Sequence, residues 1–322
     1  MLLIPTCDLT ACVIDEYYDE LRDYYILPNI DDTEGGISRM MSKGIQKELA
    51  KSFGLNVLGS CVIKSRDGEV EIPDSVKYPC FIKPNISKNS AKGIMRKCES
   101  REELYNAISE LAGKRNVEIL VEDYAEIDHE YSLLGVSTRE GVCAPGFFVA
   151  DEGGHAEHRG VAITGRLLNC DDYRPLIDQL TAFIGTLGLN GLFDIDLIGT
   201  ADGQMYFVEV NLRFGGSGFA VTDAGVNLPG MYADYMIYGK PVDTELRLNG
   251  ANKRFVSEKI LIDEYVMGRV SRSRVRETIK NADILFIRDD SDRRPYRHFR
   301  GFWLAAFLMR QIYKIKNRDK VE

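Results

Sequence analysis

The sequence lacks the patterns that define several common protein classes. Its seven cysteines form no CxxC pair and no cysteine–histidine cluster with zinc spacing. No basic-then-apolar segment opens the chain, and the longest apolar stretch spans only residues 301–309. A transmembrane helix needs roughly 20 apolar residues. These absences predict a cytoplasmic protein with unpaired thiols.

A basic excess is also absent. The 322 residues include 41 Lys or Arg and 49 Asp or Glu, so the net charge is −8, which argues against a nucleic-acid partner. Residues 291–322 are the exception, with nine basic residues against three acidic ones. Apolar residues interleaved with them predict a basic amphipathic helix at 301–317. This helix could pack on the body of the protein or lie on an anionic membrane.

Strand-like and helix-like segments alternate along the chain without a repeat, which predicts a mixed fold with two or three lobes. Ser42 is placed to cap a helix from Lys43 to Phe53 that ends at Gly54. Nearer the start, residues 1–5 are predicted as a buried strand and residues 15–25 as a helix.

The strongest chemical signal lies in residues 193–218, FDIDLIGTADGQMYFVEVNLRFGGSG. Asp202-Gly203 predicts a two-residue hairpin turn. Centring the turn there places Asp196 opposite Glu209 and Asp194 opposite Asn211, all on one face. Directly opposed carboxylates repel each other, whereas hard oxygen ligands so placed suit Mg²⁺. The alternative is a solvated acidic face on an exposed hairpin.

These residues resemble the ATP-grasp superfamily, in which an acidic residue precedes a Glu-x-Asn-x-Arg segment such as residues 209–213. Further elements occur in the expected order over residues 40–245: Lys43, the strand lysine Lys83, a loop with Ser90, Lys92 and Gly93, the hinge Glu122, Asp123, Tyr124 and Ala125, and finally Glu130. The resemblance implies an α+β ATP-grasp fold, in which two α/β subdomains clasp ATP, preceded by a truncated N-terminal segment.

The resemblance also assigns roles. Lys43 and Lys83 would contact the polyphosphate, Ser90, Lys92 and Gly93 would cover it, and Glu122–Ala125 would hold adenine beside a ribose-binding Glu130. Asp196, Glu209 and Asn211 would hold two Mg²⁺ ions, with Mn²⁺ as an alternative metal. Arg213 and Lys83 are the predicted catalytic residues. Arg213 would hold an acyl phosphate or a carboxylate, although a plain salt bridge to Asp194 or Asp196 is the alternative.

Several segments differ from the usual ATP-grasp pattern or resemble particular branches of the superfamily. The loop at residues 85–93 is poor in glycine, and Asp194 stands where D-alanine–D-alanine ligase keeps an arginine. The segment Arg213–Ser217 looks like the carbamoyl phosphate synthetase and amino-acid ligase branch. Residues 3–8 and 224–229 resemble D-aspartate ligase-like proteins. This likeness implies an amino acid as carboxylate donor and an amine on a cell-wall or polysaccharide precursor as acceptor.

The predicted organisation is a pre-ATP-grasp remnant at 1–41, subdomains at 42–125 and 126–245, and a C-terminal lobe at 246–322. A homo-oligomer or a partner chain could complete the short first lobe. The predicted activity is amide or peptide bond formation through an acyl phosphate. Two alternatives stay open, namely a non-catalytic ATP-binding subunit and a carbamoyl- or carboxyphosphate-forming enzyme.

Overall fold

The computed structural model describes residues 1–65, 69–86, 95–112, 116–154, 160–249, 252–289 and 291–316. They form two compact units. The first takes residues 1–147, 170–215 and 227–247, and the second takes residues of 148–169, 216–226 and 248–316. Ser90, Lys92 and Gly93 lie outside the described residues, as does residue 317 of the predicted C-terminal helix. The four-segment division predicted above stays a prediction.

A small antiparallel sheet in the first unit has the order β2-β5-β3-β4. Its strands are β2 (Ser60–Lys64), β3 (Cys80–Pro84), β4 (Arg96–Cys98) and β5 (Glu118–Asp123). Helix α5 (Arg101–Ala112) contributes Leu104 and Ile108 to a core shared with Ile82 and Ile119. Alternating apolar residues on the strands and a four-residue apolar spacing on the helix bring these side chains together.

Helix α4 (Lys43–Phe53) has the predicted bounds. The Ser42 side chain accepts a hydrogen bond from the Ile45 amide, and Gly54 ends the helix with φ +96°. A serine cap satisfies one of the amides left open at a helix start, and glycine adopts the left-handed end without strain. Both signals are local, so the sequence alone was sufficient to place this helix.

A larger sheet in the first unit is built around strand β9 (Leu189–Gly199). One edge of β9 pairs with β6 (His129–Thr138), and the other pairs with β1 (Asn29–Ile30) and β10 (Met205–Asn211). The first unit also contains residues 141–147 of β7 (Gly141–Gly153) and the helices α6 (Arg174–Thr186) and α8 (Leu228–Tyr238).

The start of the chain differs from the prediction. Residues 1–5 make only a single bridge between Leu2 and Ile26 instead of a strand. The predicted helix at 15–25 is replaced by α1 (Asp8–Glu16) and the four-residue α2 (Tyr18–Leu21). Asp15 shares the buried face of α1 with Ala11 and Cys12, so the helix lies nearer the start of the chain than predicted. The Asp15 carboxylate accepts hydrogen bonds from the amides of Ile37 and Ser38 and so caps α3 (Gly36–Met40), a tertiary contact that local patterns do not contain.

The second unit contains residues 148–153 of β7, which pair with β8 (Ala162–Leu167). Strand β11 (Arg254–Val256) joins β8 antiparallel and β12 (Ile284–Leu285) parallel. Its helices are α7 (Gly218–Asp223), α9 (Glu258–Val266), α10 (Arg272–Lys280) and α11 (Arg294–Lys316). Phe299 of α11 packs on Ile262 of α9, and the Arg310 guanidinium lies 4.3 Å from the Tyr265 ring centroid. Within the described residues, no helix is long and apolar enough to cross a membrane.

Candidate active site

The β9–β10 hairpin places the predicted acidic residues opposite one another. Glu209 pairs with Asp196, and Asn211 pairs with Asp194. The Asn211 amide nitrogen donates to Asp196 Oδ2 at 2.9 Å, so these side chains share a face of the sheet. On the other side of β9, Ser132 of β6 lies opposite Asp196 and donates to its Oδ1 at 3.0 Å.

The turn itself differs from the prediction. Thr200 pairs with Gln204, so the loop contains three residues, and Gly203 ends it with φ +81°. A three-residue loop shifts the register by one position relative to the predicted two-residue turn. An irregularity between Phe207 and Glu209 shifts it back, so the pairing of Asp196 with Glu209 is as predicted although the turn is not.

A buried lysine compensates part of the charge on this face. The Lys43 ammonium, at the head of α4, forms an ion pair with Glu209. Burial, together with the charge of Lys83, lowers the pKa of Lys43 to about 7. Burial also raises the pKa of Asp196. Asp196, Glu209 and Asn211 thus place two carboxylates and one amide on this face, beside the Lys43 cation. Carboxylate and amide oxygens are the groups that a divalent metal ion such as Mg²⁺ needs.

The donor set fits Mg²⁺ better than a softer metal. Asp196, Glu209 and Asn211 offer oxygen atoms only, and carboxylate and amide oxygens are ligands that Mg²⁺ accepts. Within the described part of the chain, no group of three or more His, Cys, Asp or Glu side chains is arranged to hold a metal. With two carboxylates, the set suits an ion that completes its shell with phosphate oxygens and water.

A second buried charge cluster lies at the hinge strand β5. The Glu122 carboxylate contacts the ammonium groups of Lys47 and Lys83, the latter at 2.7 Å. Burial alone would raise the pKa of Glu122, but the charges of Lys83 and Lys47 outweigh it and lower the pKa. The Lys83 ammonium, predicted to contact the polyphosphate, thus forms an ion pair with Glu122 in this structure. The sequence analysis missed Lys47, although its position four residues after Lys43 places both on one helix face.

The remaining predicted hinge residues lie at the end of the same strand. The Asp123 amide donates to the Gly59 carbonyl at 2.8 Å, and the Lys97 ammonium lies 4.3 Å from the Tyr124 ring centroid. Ala125 is half-buried beside them, and Glu130 is exposed on β6. Their predicted contacts with adenine and ribose stay predictions.

Arg213 forms the salt bridge that was the alternative to a substrate contact. Its Nε donates to Asp8 at 3.2 Å, and its Nη1 donates to Asp194 Oδ2 at 3.3 Å. Burial, followed by the charge of Asp196, raises the pKa of Asp194 to about 7. Asp8 was not predicted, because 205 residues separate it from Arg213. A backbone hydrogen bond from Phe214 to Pro5 holds the two segments side by side.

Gln46 fixes the outer edge of β10. Its side-chain amide donates to the Val210 carbonyl and accepts from the Val210 amide, both at 2.8 Å. A third hydrogen bond joins its Nε2 to the Met40 carbonyl at 2.7 Å. The side chain thus replaces a neighbouring strand between Glu209 and Asn211. No sequence pattern indicated a role for Gln46, since a glutamine on a helix is ordinarily solvated.

Comparison with known proteins identifies the family. The family model described as the ATP-grasp domain matches residues 48–227, which is more than half of the chain. The chain belongs to the ATP-grasp family. The predicted family and the predicted fold class are therefore confirmed. ATP-grasp enzymes bind ATP with Mg²⁺, and solved structures with this fold include complexes with ATP and with MgADP.

Curated relatives have two different activities. A formate-dependent phosphoribosylglycinamide formyltransferase of Ignicoccus hospitalis is 24% identical over 66% of this chain and 53% of its own length. A D-aspartate ligase of Enterococcus faecium is 24% identical over 78% of this chain and 62% of its own length. The chain thus spans about half to two thirds of the length of these relatives.

The fold is shared with a biotin carboxylase and with an L-amino acid ligase. Biotin carboxylase of Campylobacter jejuni superposes with a TM-score of 0.61 at 14% identity, covering 79% of this chain and 57% of that one. An L-amino acid ligase of Bacillus licheniformis has a TM-score of 0.53 at 16% identity, covering 74% and 63%. At such identities the likeness supports the fold alone. The predicted cytoplasmic location and the predicted partner chain or homo-oligomer stay predictions.

Proposed function

We propose that this protein is an ATP-dependent carboxylate–amine ligase that forms an amide or peptide bond through an acyl phosphate. The in-register pair of Asp196 and Glu209, joined by Asn211 and faced by Lys43, is the observation that carries the proposal. Repulsion between opposed carboxylates disfavours such a pair in a purely structural hairpin. Asp196 and Glu209 would hold the Mg²⁺ of a bound nucleotide, and the charge of that ion would offset their mutual repulsion.

Each residue has a defined part in this proposal. Asp196, Glu209 and Asn211 would hold Mg²⁺, which offsets the phosphate charge during transfer when it is bound. Lys43 would exchange its Glu209 contact for the polyphosphate, and Lys83 would do the same from Glu122. Arg213 would lie against the carboxylate that is phosphorylated. An amine then displaces phosphate from the acyl carbon, so that one amide bond forms and one acyl–phosphate bond breaks.

The donor carboxylate separates the candidate activities. The relatives named above act with formate or with D-aspartate. This chain is proposed to take an amino acid as donor, and formate and bicarbonate are the rival donors. The acceptor is proposed to be an amine on a cell-wall or polysaccharide precursor. A non-catalytic ATP-binding subunit is the remaining alternative.

Hydroxylamine trapping tests the activity without knowledge of the acceptor. The protein is incubated with Mg-ATP, hydroxylamine and one donor at a time, namely the amino acids of both hands, formate and bicarbonate. Hydroxamate formed from an amino acid, with equal ADP release, supports the ligase. Turnover with bicarbonate or formate alone supports the rival donors, and nucleotide binding without turnover on any donor supports the non-catalytic subunit.

Glu209→Gln tests the metal assignment in the same assay. The amide keeps the shape of the side chain but loses the charge that attracts both Mg²⁺ and Lys43, so turnover should fall at least about 100-fold. Glu245→Gln is the matched control, because Glu245 also forms an ion pair, with Arg174 at 3.0 Å, but is exposed and remote from this cluster. Full activity of Glu209→Gln would remove Glu209 from the metal site.

A further inference from the structure

The charges around Arg213 do not balance. Its guanidinium carries one positive charge and contacts two carboxylates, those of Asp8 and Asp194. A structural salt bridge needs only one of them. When both aspartates are ionised, the arginine cluster therefore carries one negative charge more than the guanidinium balances.

One oxygen of this cluster lacks a partner. Asp194 is 7% exposed, and its Oδ1 is buried without a hydrogen-bond partner among the described residues. Its Oδ2 receives the bond from Arg213. A buried, unpaired carboxylate oxygen is costly, and native proteins retain such atoms where a ligand satisfies them.

The neighbouring backbone holds the carboxylate in place. A Cβ added at Gly215 would lie 2.4 Å from Asp194 Oδ2, so only glycine leaves room for the side chain there. Asp194 also precedes Asp196 by two residues on β9, which puts both side chains on one face of the sheet. The Asp194 carboxylate therefore lies on the same face as the proposed magnesium ligands and contacts Arg213.

Arg213 can bind an anion while it keeps both aspartates. Its Nε and Nη1 donate the two observed hydrogen bonds, and a guanidinium has five N–H groups. The remaining N–H groups have no acceptor among the residues that the structure describes. The cluster thus offers N–H donors for a carboxylate and, on Asp194, an acceptor for a cation.

We infer that Asp194 binds the ammonium group of the donor, so the site selects a zwitterionic α-amino acid over a carboxylic acid that lacks the amino group. The inference rests on the proposed ligase activity. Arg213 holds the carboxylate that is phosphorylated, Asp194 accepts hydrogen bonds from the neighbouring ammonium, and Asp8 retains Arg213 in position. The extra negative charge of the cluster is then matched by the ligand.

Paired donors test this inference directly. Hydroxamate formation is measured at saturating Mg-ATP with alanine against propionate, glycine against acetate, and aspartate against succinate, with alanine and aspartate tested as both enantiomers. The wild type should prefer the amino acid of at least one pair. Asp194→Asn should lower kcat/KM for that amino acid by about 10- to 100-fold, the range of a lost charge-assisted hydrogen bond. The loss on the deaminated analogue should be several-fold smaller, because only the contact between Asp194 and Arg213 changes for that donor.

Asp178→Asn is the matched control, because Asp178 also contacts two arginines, Arg247 at 3.2 Å and Arg174 at 3.7 Å, but in a different part of the unit. It should leave both donors unchanged. Equal use of a deaminated analogue by the wild type, or an equal loss on both donors in Asp194→Asn, overturns the inference while the ligase activity stands. Absence of hydroxamate from every amino acid and analogue overturns the ligase proposal, and the inference with it.

Discussion

Gln46→Met removes the side-chain amide that fixes the edge of β10 while it keeps the length and helix preference of the residue. Three backbone groups lose their partner, namely the carbonyl of Met40 and both the carbonyl and the amide of Val210. Gln46 is 1% exposed, so water cannot replace it without rearrangement. At about 1 to 3 kcal/mol for each unsatisfied group, and with partial relaxation, the free energy of unfolding should fall by about 3 kcal/mol.

Urea unfolding followed by far-UV circular dichroism measures the loss, and hydrogen exchange of the peptide that contains β10 locates it. Gln179→Met is the matched control, since the exposed Gln179 amide donates to a single carbonyl, that of Gly54, at 3.1 Å. It should cost less than about 0.5 kcal/mol. A Gln46→Met loss no larger than that of the control, with unchanged exchange in β10, would refute the role of Gln46 as the substitute for a neighbouring strand.

Three further results are expected. The lowered pKa of Glu122 means that its ion pairs stabilise the fold above the unfolded-state pKa of about 4.3 and are lost as the pH falls through the lower folded-state value. The stability difference between wild type and Glu122→Gln, measured by urea unfolding, should therefore shrink from pH 7 to pH 3, and a constant difference would contradict it. Gly215→Ala should displace the Asp194 carboxylate and reduce turnover by at least about tenfold at nearly unchanged Mg-ATP affinity; unchanged kinetics would argue against the crowding. Leu308 and Ile312 are exposed on the basic helix α11. The double variant Leu308→Asp with Ile312→Asp should therefore abolish flotation of the protein with phosphatidylserine vesicles. If the wild type does not float with these vesicles either, the predicted membrane contact is wrong.

Local patterns were sufficient for the elements whose causes are local. Ser42 and Gly54 set the ends of α4 because capping and the left-handed glycine involve only neighbouring residues. The pairing of Asp196 with Glu209 follows from alternation along two strands joined by a short loop. Even here the predicted pairing was correct and the predicted turn was wrong, because a bulge before Glu209 offsets the extra loop residue.

Tertiary structure decided which charges meet. Lys47 contacts Glu122 from another element, and Asp8 reaches Arg213 across 205 residues of sequence. The sequence around Asp15 is that of an ordinary helix, yet in the folded chain the Asp15 side chain is buried and caps α3. The sequence determined the family and the strand pairing of Asp196 with Glu209, because these depend on residue types at fixed short spacings. Only the folded chain decided the partners of each buried charge, because desolvation makes an ion pair depend on what surrounds it in space.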